Sequence, residues 1–216
     1  MKKYSVEIEI SGPLALFSRP DSGGSPTSFP IPTWSAAKGI FESIARLGDG
    51  NAWICPTKVE VCRLKSDQRR GAVHYQRYAF NYGGPLRKGS QLSSGSSLQV
   101  FSTVLSDVCF RLHAEIRGDK SRKRHSGVNP CHHLQDMFNR RLKRGQCHRT
   151  PSLGLSEFTA TYWGPFRPEQ TEVDEILQLR IPSLLISPFD KPVDGKFNPK
   201  FQTNSQIMKG VFEYDS

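Results

Sequence analysis

Long apolar runs are missing from this 216-residue chain. No stretch reaches the roughly 18 consecutive apolar residues that a membrane-crossing helix needs, so a membrane span is excluded. The first residues, MKKYSVEIEI, pass straight into an alternating strand pattern, and no signal peptide is expected. Cysteine is sparse and odd in number: Cys55, Cys62, Cys109, Cys131 and Cys147 show no CxxC spacing. That argues against a disulfide framework and for a reducing, cytoplasmic compartment. Acidic residues are outnumbered, with 20 Asp and Glu against 30 Lys and Arg and a net charge of +10. Such an excess favours a polyanionic partner over a neutral metabolite. Helix-turn-helix and zinc-finger signatures are also lacking, which disfavours a duplex-DNA reader acting alone. No internal repeat occurs.

The positive charge is localised. Ten basic residues lie between Arg117 and Arg149 (Arg117, Lys120, Arg122, Lys123, Arg124, Arg140, Arg141, Lys143, Arg144 and Arg149) against Asp119 and Asp136 alone. The first fifty residues are neutral in sum, so the excess marks a footprint on one region.

Periodicity gives the organisation. Tyr4, Val6, Ile8 and Ile10 alternate onto one face of a half-buried strand over residues 3–10. A Pro/Gly/Ser-rich loop, residues 12–32, follows. Thr33 then caps a helix in which Trp34, Ala37, Phe41 and Ile44 share a stripe, Lys38 faces outward, and Gly48 is the expected stop. AWICPTKVEVCRL reads as a strand interrupted at Pro56, GAVHYQRYAFNYGG as a strand or hairpin arm, and GSQLSSGSS as a loop. LQVFSTVL and VCFRLHAEI, divided by Ser106-Asp107, read as two strands; a basic loop and a second helix follow, then LSEFTATYWG as a strand. Strand, helix, strands, helix, strand is close to a split βαβ layout, giving an α+β, ferredoxin-like expectation for residues 1–164. Residues 165–216 read as a small β-rich C-terminal extension.

The second helix carries the chemistry. Asn129 is a good N-cap and Pro130 suits the first helical position, which puts Cys131, His132 and His133 in the first turn. Leu134, Met137, Phe138 and Leu142 form the packing face. At 100° per residue, His133, Arg140 and Arg144 align on a flank, with His132 and Lys143 across the outer side. Guanidinium groups can fork onto phosphate oxygens, the helix N-terminus adds backbone donors and keeps nearby imidazoles in the basic form, and a neutral imidazole can accept a proton. A zinc site from Cys131, His132 or His133, Cys147 and His148 is the competing reading. Adjacent helical histidines cannot readily converge on one metal, and neither CxxC nor HxxxH is present, so no metal and no cofactor is expected. His74 and His113 fall in strands and read as ordinary surface or packed histidines. His125, in the basic loop, stays open.

GPLALFSRP followed by PTWSAAKGIFESI, and later HH…MFNRRLKRGQC…P.LG..EF, resemble the type I-C (Dvulg subtype) members of the Cas5 family of CRISPR-associated RAMP proteins. The resemblance covers about residues 4–158. It implies an RRM-related, ferredoxin-like domain with a smaller β appendage, membership of a Cascade effector complex, and a grip on the repeat and 5′ handle of CRISPR RNA. It also implies metal-independent cutting of precursor CRISPR RNA by attack of a ribose 2′-OH on its own phosphate, leaving a 2′,3′-cyclic phosphate. The family's Lys-His pair falls near His132-His133, its aromatic or histidine after the first helix falls on Ala45, and the arginine of its LGCREF phrase is Ser156. The catalytic candidates are His132, His133 and His148. The RNA-binding candidates are Lys38, Arg122, Lys123, Arg124, Arg140, Arg141, Lys143, Arg144 and Arg149, with Trp34, Phe17 and Tyr82 as stacking aromatics. The implied partners are the backbone and large subunits of the complex, and target DNA within it. Two functions stay open: a CRISPR-RNA-processing endoribonuclease, and an inactive subunit that caps the handle.

Overall fold

Alternation of apolar and polar side chains builds the sheet. The structure is a computed structural model that describes residues 4–82, 98–118, 129–191 and 193–215. In β1 (Ser5–Ala15), Val6, Ile8 and Ile10 are buried, as their spacing predicts. The strand runs five residues past Ile10, into the segment expected to be loop. α1 (Trp34–Ile44) starts at Thr33, whose side chain accepts from the Ala36 N–H. It buries Trp34, Ala37, Ile40, Phe41 and Ile44. The helix ends before the expected Gly48 stop: Ala45, fully buried, is the extended C-cap, so burial turns the chain three residues early.

β2 (Ala52–Leu64) carries a register shift between Pro56 and Lys58, where proline cannot donate to the ladder. β3 (Tyr75–Tyr82) pairs with the outer half of β4 (Leu98–Gly118). The two strands expected around Ser106-Asp107 are one. Asp107 takes a left-handed φ of 51° and is absorbed within β4 as an irregularity, without ending the strand. α2 (Pro130–Lys143) follows, and packs Leu134 and Phe138 into the core, with Phe138 against Phe41 at 5.7 Å between ring centres.

The expected strand LSEFTATYWG is a run of turns joined to β5 (Tyr162–Gly164), three residues long. Gly154 explains the turn. It has φ +99°, and a Cβ there would stand 1.8 Å from the Leu16 carbonyl oxygen. Next to it the Leu16 N–H donates to Leu153 O, so this loop is docked on the end of β1. β6 (Thr171–Val173), β7 (Leu179–Phe189), β8 (Phe197–Ile207) and β9 (Val211–Glu213) complete the chain.

The main sheet runs β5-β1-β4-β2-β6, with β3 added on β4 and β9 on β2, and these strands all pair antiparallel. Segments after residue 164 therefore enter the main sheet at β2, while β7 and β8 form a ribbon of their own. The protein is mixed α/β with a mainly antiparallel sheet. Its core lies between one sheet face and the two helices, where Ile8, Ile10, Phe110 and Leu112 meet Phe41, Ile44, Leu134 and Phe138.

The opposite face is also covered. Glu9, 0% exposed, accepts from the Arg167 backbone N–H (3.1 Å), Arg167 Nε (2.7 Å), Thr171 Oγ1 (2.8 Å) and Arg111 Nε (3.2 Å). Burial alone would raise the Glu9 carboxyl, but these donors outweigh it and hold it below the ordinary carboxylate value. The segment carrying Phe166, Arg167 and Thr171 is thus strapped across the sheet. Arg111 lies 5.1 Å from the Phe166 ring centre, and the Arg167 guanidinium sits over Tyr162.

Candidate nucleic-acid interface

Asn129 fixes the start of α2. Its Oδ1 accepts from the Cys131 N–H (3.0 Å) and its Nδ2 donates to the Tyr4 hydroxyl (3.0 Å), tying the first turn to β1. Gly118, at the end of β4, allows the same turn to close in, since a Cβ there would meet Cys131 Sγ at 2.8 Å. His132 and His133 follow and are both exposed.

His132 is oriented from two sides. Its Nδ1 stands 3.4 Å from Asp136 Oδ2, one helical turn on, and the Tyr4 ring meets the imidazole edge-on at 6.2 Å between centres. A carboxylate facing Nδ1 favours the tautomer that carries its proton there and leaves Nε2 to accept, the form a general base requires. Asp136 entered the sequence reading only as a countercharge. The i, i+4 spacing from His132 was the signal that could have found it.

The basic residues divide. Arg140, Lys143, Arg144 and Arg149 are exposed. Arg141 is half-buried and donates from Nη1 to the Ile44 carbonyl oxygen at 2.7 Å, so it caps the end of α1. Lys38, expected to face outward, is half-buried and pairs with Glu42 at 2.5 Å. Arg122, Lys123, Arg124 and His125 lie outside the described residues, as do the glycine-serine loop and the side chain of Tyr82.

A different segment places His148 from the one that carries His132 and His133. The N–H groups of His148 and Arg149 both donate to Ser43 O, at 2.8 and 2.9 Å, which pins the segment after α2 to the last turn of α1. Arg141 reaches the same turn. From His133 to Lys143 the helix rises about 15 Å. His132 and His133 lie in the first turn of α2, and His148 follows the helix in the chain and docks on α1. Trp34, a stacking candidate, is buried and donates to Pro56 O, and Phe17 is a core residue. Among the described residues, no group of three or more His, Cys, Asp or Glu side chains is arranged to hold a metal.

A cavity of about 240 Å³ opens beside the histidine end of α2. Its walls include Lys38, Ala45 and Arg46 from α1 and its exit, Trp53 from β2, Leu134 from α2, and Val193 and Asp194 from the turn between β7 and β8. Arg46, exposed and two residues past the helix, was not among the sequence candidates. It lies outside the charge cluster, and only the fold carries it to this site.

No described helix is long and apolar enough to cross a membrane. The fold is shared with a solved CRISPR-associated protein, at a TM-score of 0.68 and 18% identity, covering 100% of this chain and 94% of the other. A functionally uncharacterized protein, SMU1763c from Streptococcus mutans, matches equally well in fold (TM-score 0.68, 16% identity, 100% and 95% covered). These likenesses show a shared fold. The model of the Cas5d family, described as CRISPR-associated protein (Cas_Cas5), matches residues 5–192, and the chain belongs to this family. The CRISPR pre-crRNA endoribonuclease Cas5d of Thermus thermophilus is 30% identical over 160 residues, 74% of this chain and 63% of that protein. A protein of the same name from Mannheimia succiniciproducens is 26% identical over 163 residues, 73% of this chain and 71% of its own length. The chain thus spans less than two thirds of the Thermus relative where the two match.

Proposed function

We propose that this protein binds the repeat and 5′ handle of CRISPR RNA as a subunit of a Cascade complex, and cleaves precursor CRISPR RNA without a metal. The observation that carries the reading is the outward face of α2, where an Asp136-oriented His132, an exposed His133 and the guanidinium groups of Arg140 and Arg144 share one surface. Family membership and the relatives' names support it.

In the reaction, His132 Nε2 removes the proton from the ribose 2′-OH, the alkoxide attacks the adjacent phosphorus, and the 5′-oxygen leaves with a proton from His133. The products are a 2′,3′-cyclic phosphate and a 5′-hydroxyl. Lys38 and Arg46, which line the neighbouring cavity, are the cations offered to the phosphorane charge. Arg140 lies about 10 Å further along the helix than His133, so it and Arg144 hold neighbouring phosphates. His148 and Arg149 extend the same track. The partners in this reading are the backbone and large subunits and target DNA within the complex.

The fold supports a ferredoxin-like reading at the finer level, because β5-β1-β4-β2, with α1 and α2 as crossovers, has the fold's 4-1-3-2 order. Residues 165–216 are then an extension, which adds β6 and β9 outside that core and ends in the β7–β8 ribbon.

The test is incubation with the cognate repeat RNA in excess EDTA, followed by a denaturing gel. The enzyme reading expects cleavage that survives chelation and disappears in His132→Ala. Tight binding without cleavage leaves the handle-capping alternative, and absence of binding overturns both.

A further inference from the structure

The cavity beside the histidine end of α2 holds a carboxylate that the cleavage step does not use. Lys38 and Glu42 stand one turn apart on α1 and both line the cavity, with Arg46 just past the helix end. Lys38 Nζ donates to Glu42 Oε1 at 2.5 Å, and the two side chains are only 13% and 27% exposed. An ordinary i, i+4 pair lies in solvent and serves its helix alone. This one is part of a cavity wall. Glu42 Oε2 has no partner among the described residues, and neither has the exposed Arg46 guanidinium. Gly48, Gly50 and Ala52 line the same space, so part of the wall carries little or no side chain. The volume of about 240 Å³ equals roughly eight waters at about 30 Å³ each, room for one flat base.

Along the pair, Lys38 offers N–H donors and Glu42 offers acceptor oxygens. Guanine presents the opposite order on its Watson–Crick edge, the O6 acceptor followed by the N1–H and N2–H2 donors. Three contacts then form with no two like groups facing each other. Adenine has one acceptor and one donor on that edge, enough for two contacts. Uracil sets a carbonyl oxygen against the carboxylate, and cytosine sets its ring N3 acceptor there. Lysine carries three N–H donors, so Lys38 can keep Glu42, meet O6 and still face a phosphate.

We propose that this cavity takes the guanine of an unpaired nucleotide flanking the cleaved phosphate, with Glu42 as the residue that sets the preference. Glu42 accepts from N1–H and N2–H2, Lys38 donates to O6, and Arg46 meets the adjoining phosphate. The proposal rests on the RNA-cleavage reading above and adds to it a base preference at the cut. Position favours RNA over a free nucleotide, because Leu134 of the cavity wall directly follows His132 and His133 in α2. Partial burial sharpens the choice: a carboxylate shielded from water and facing a base with no N–H to give stays unpaired, and that base is rejected.

The experiment titrates the full chain with fluorescently labelled 15-nucleotide oligouridylates whose central base is uracil, guanine, hypoxanthine, adenine or cytosine, reading anisotropy. A central guanine is expected to tighten binding about tenfold relative to uracil. Hypoxanthine keeps O6 and N1–H but lacks the amino group, and should fall between the two. Glu42→Gln replaces the acceptor pair by one oxygen and one NH2, and should bring the guanine-to-uracil ratio to within about twofold. The wild-type series needs no variant, so it tests the proposal whatever Glu42→Gln does to the Tm. Equal wild-type affinity for every central base overturns the proposal and leaves the RNA-binding reading standing, whereas no binding of any oligonucleotide overturns both. A guanine preference that survives in Glu42→Gln removes the role given to Glu42. Free guanosine monophosphate bound as tightly as the guanine oligonucleotide would assign the cavity to a soluble nucleotide and overturn the placement at the cut.

Discussion

Replacing Glu9 by glutamine keeps the shape of the buried side chain and removes its charge. The carboxylate accepts four hydrogen bonds, two from Arg167, one from Arg111 and one from Thr171. Glutamine offers one oxygen and one NH2 group, so at least one guanidinium N–H is left facing a donor. Arg111 and Arg167 side chains are only 12% and 23% exposed, so water replaces little of what is lost. Breaking one member of such a buried pair costs about 3–5 kcal/mol. With a urea m-value of about 2–3 kcal/mol/M for a chain of this size, the denaturation midpoint should fall by about 1–2.5 M at pH 7. The bonds also set a pH window. Because the folded carboxyl is held below its ordinary value of 4.5, its contribution is complete above that pH and drains away as pH falls through the lower folded value. Wild type and Glu9→Gln should therefore converge in stability on the acid side. A midpoint within roughly 0.3 M of wild type at pH 7 would refute the claim that this network holds the strap over residues 165–171.

Three further outcomes are expected. His132→Ala should lower EDTA-resistant cleavage about 10²–10⁴-fold. Asp136→Asn should cost less and displace the pH–rate profile, because Asp136 positions the imidazole and does not itself touch RNA; an unchanged profile would separate Asp136 from the chemistry. In Arg140→Glu/Arg144→Glu, the slope of log K against log salt for single-stranded RNA should shrink by about 0.7 for each lost phosphate contact, measured by anisotropy across a salt series. Gly154→Ala should destabilise the fold by more than about 3 kcal/mol in urea melts, since a left-handed φ and a collision with Leu16 O act together.

Local signals were legible in the sequence where neighbours along the chain supply the physics. Alternation placed Val6, Ile8 and Ile10 in the core, Thr33 and Asn129 capped the helices as their chemistry dictates, and the apolar arc of α2 marked Leu134 and Phe138 for packing. What escaped depends on distant segments. Glu9 has the polar place in its strand's alternation and looks solvent-facing, yet residues 158 and 162 positions later cover it. Asp107 looks like a turn, but β1 pairs across it from Leu105 to Glu115, with β2 after it and β3 before it, and holds β4 in a single strand. The histidine pair was legible as a pair. The docking of His148 on α1 was not, because that follows from its backbone bond to Ser43.

β4 sets the timing of assembly during synthesis. β1 finds its neighbours only at residues 105–115 and 162–164, and β2 pairs with residues that emerge about fifty positions later. At about 5–20 residues per second, the first strand waits roughly 5–20 s after leaving the ribosome before β4 arrives. Through that interval Val6, Ile8 and Ile10 are an apolar edge with nothing to pair with, the condition under which a nascent strand recruits a chaperone or another chain. Synonymous changes that slow translation between residues 15 and 105 should therefore lower the yield of folded protein, while the same delay placed after residue 164 should be harmless.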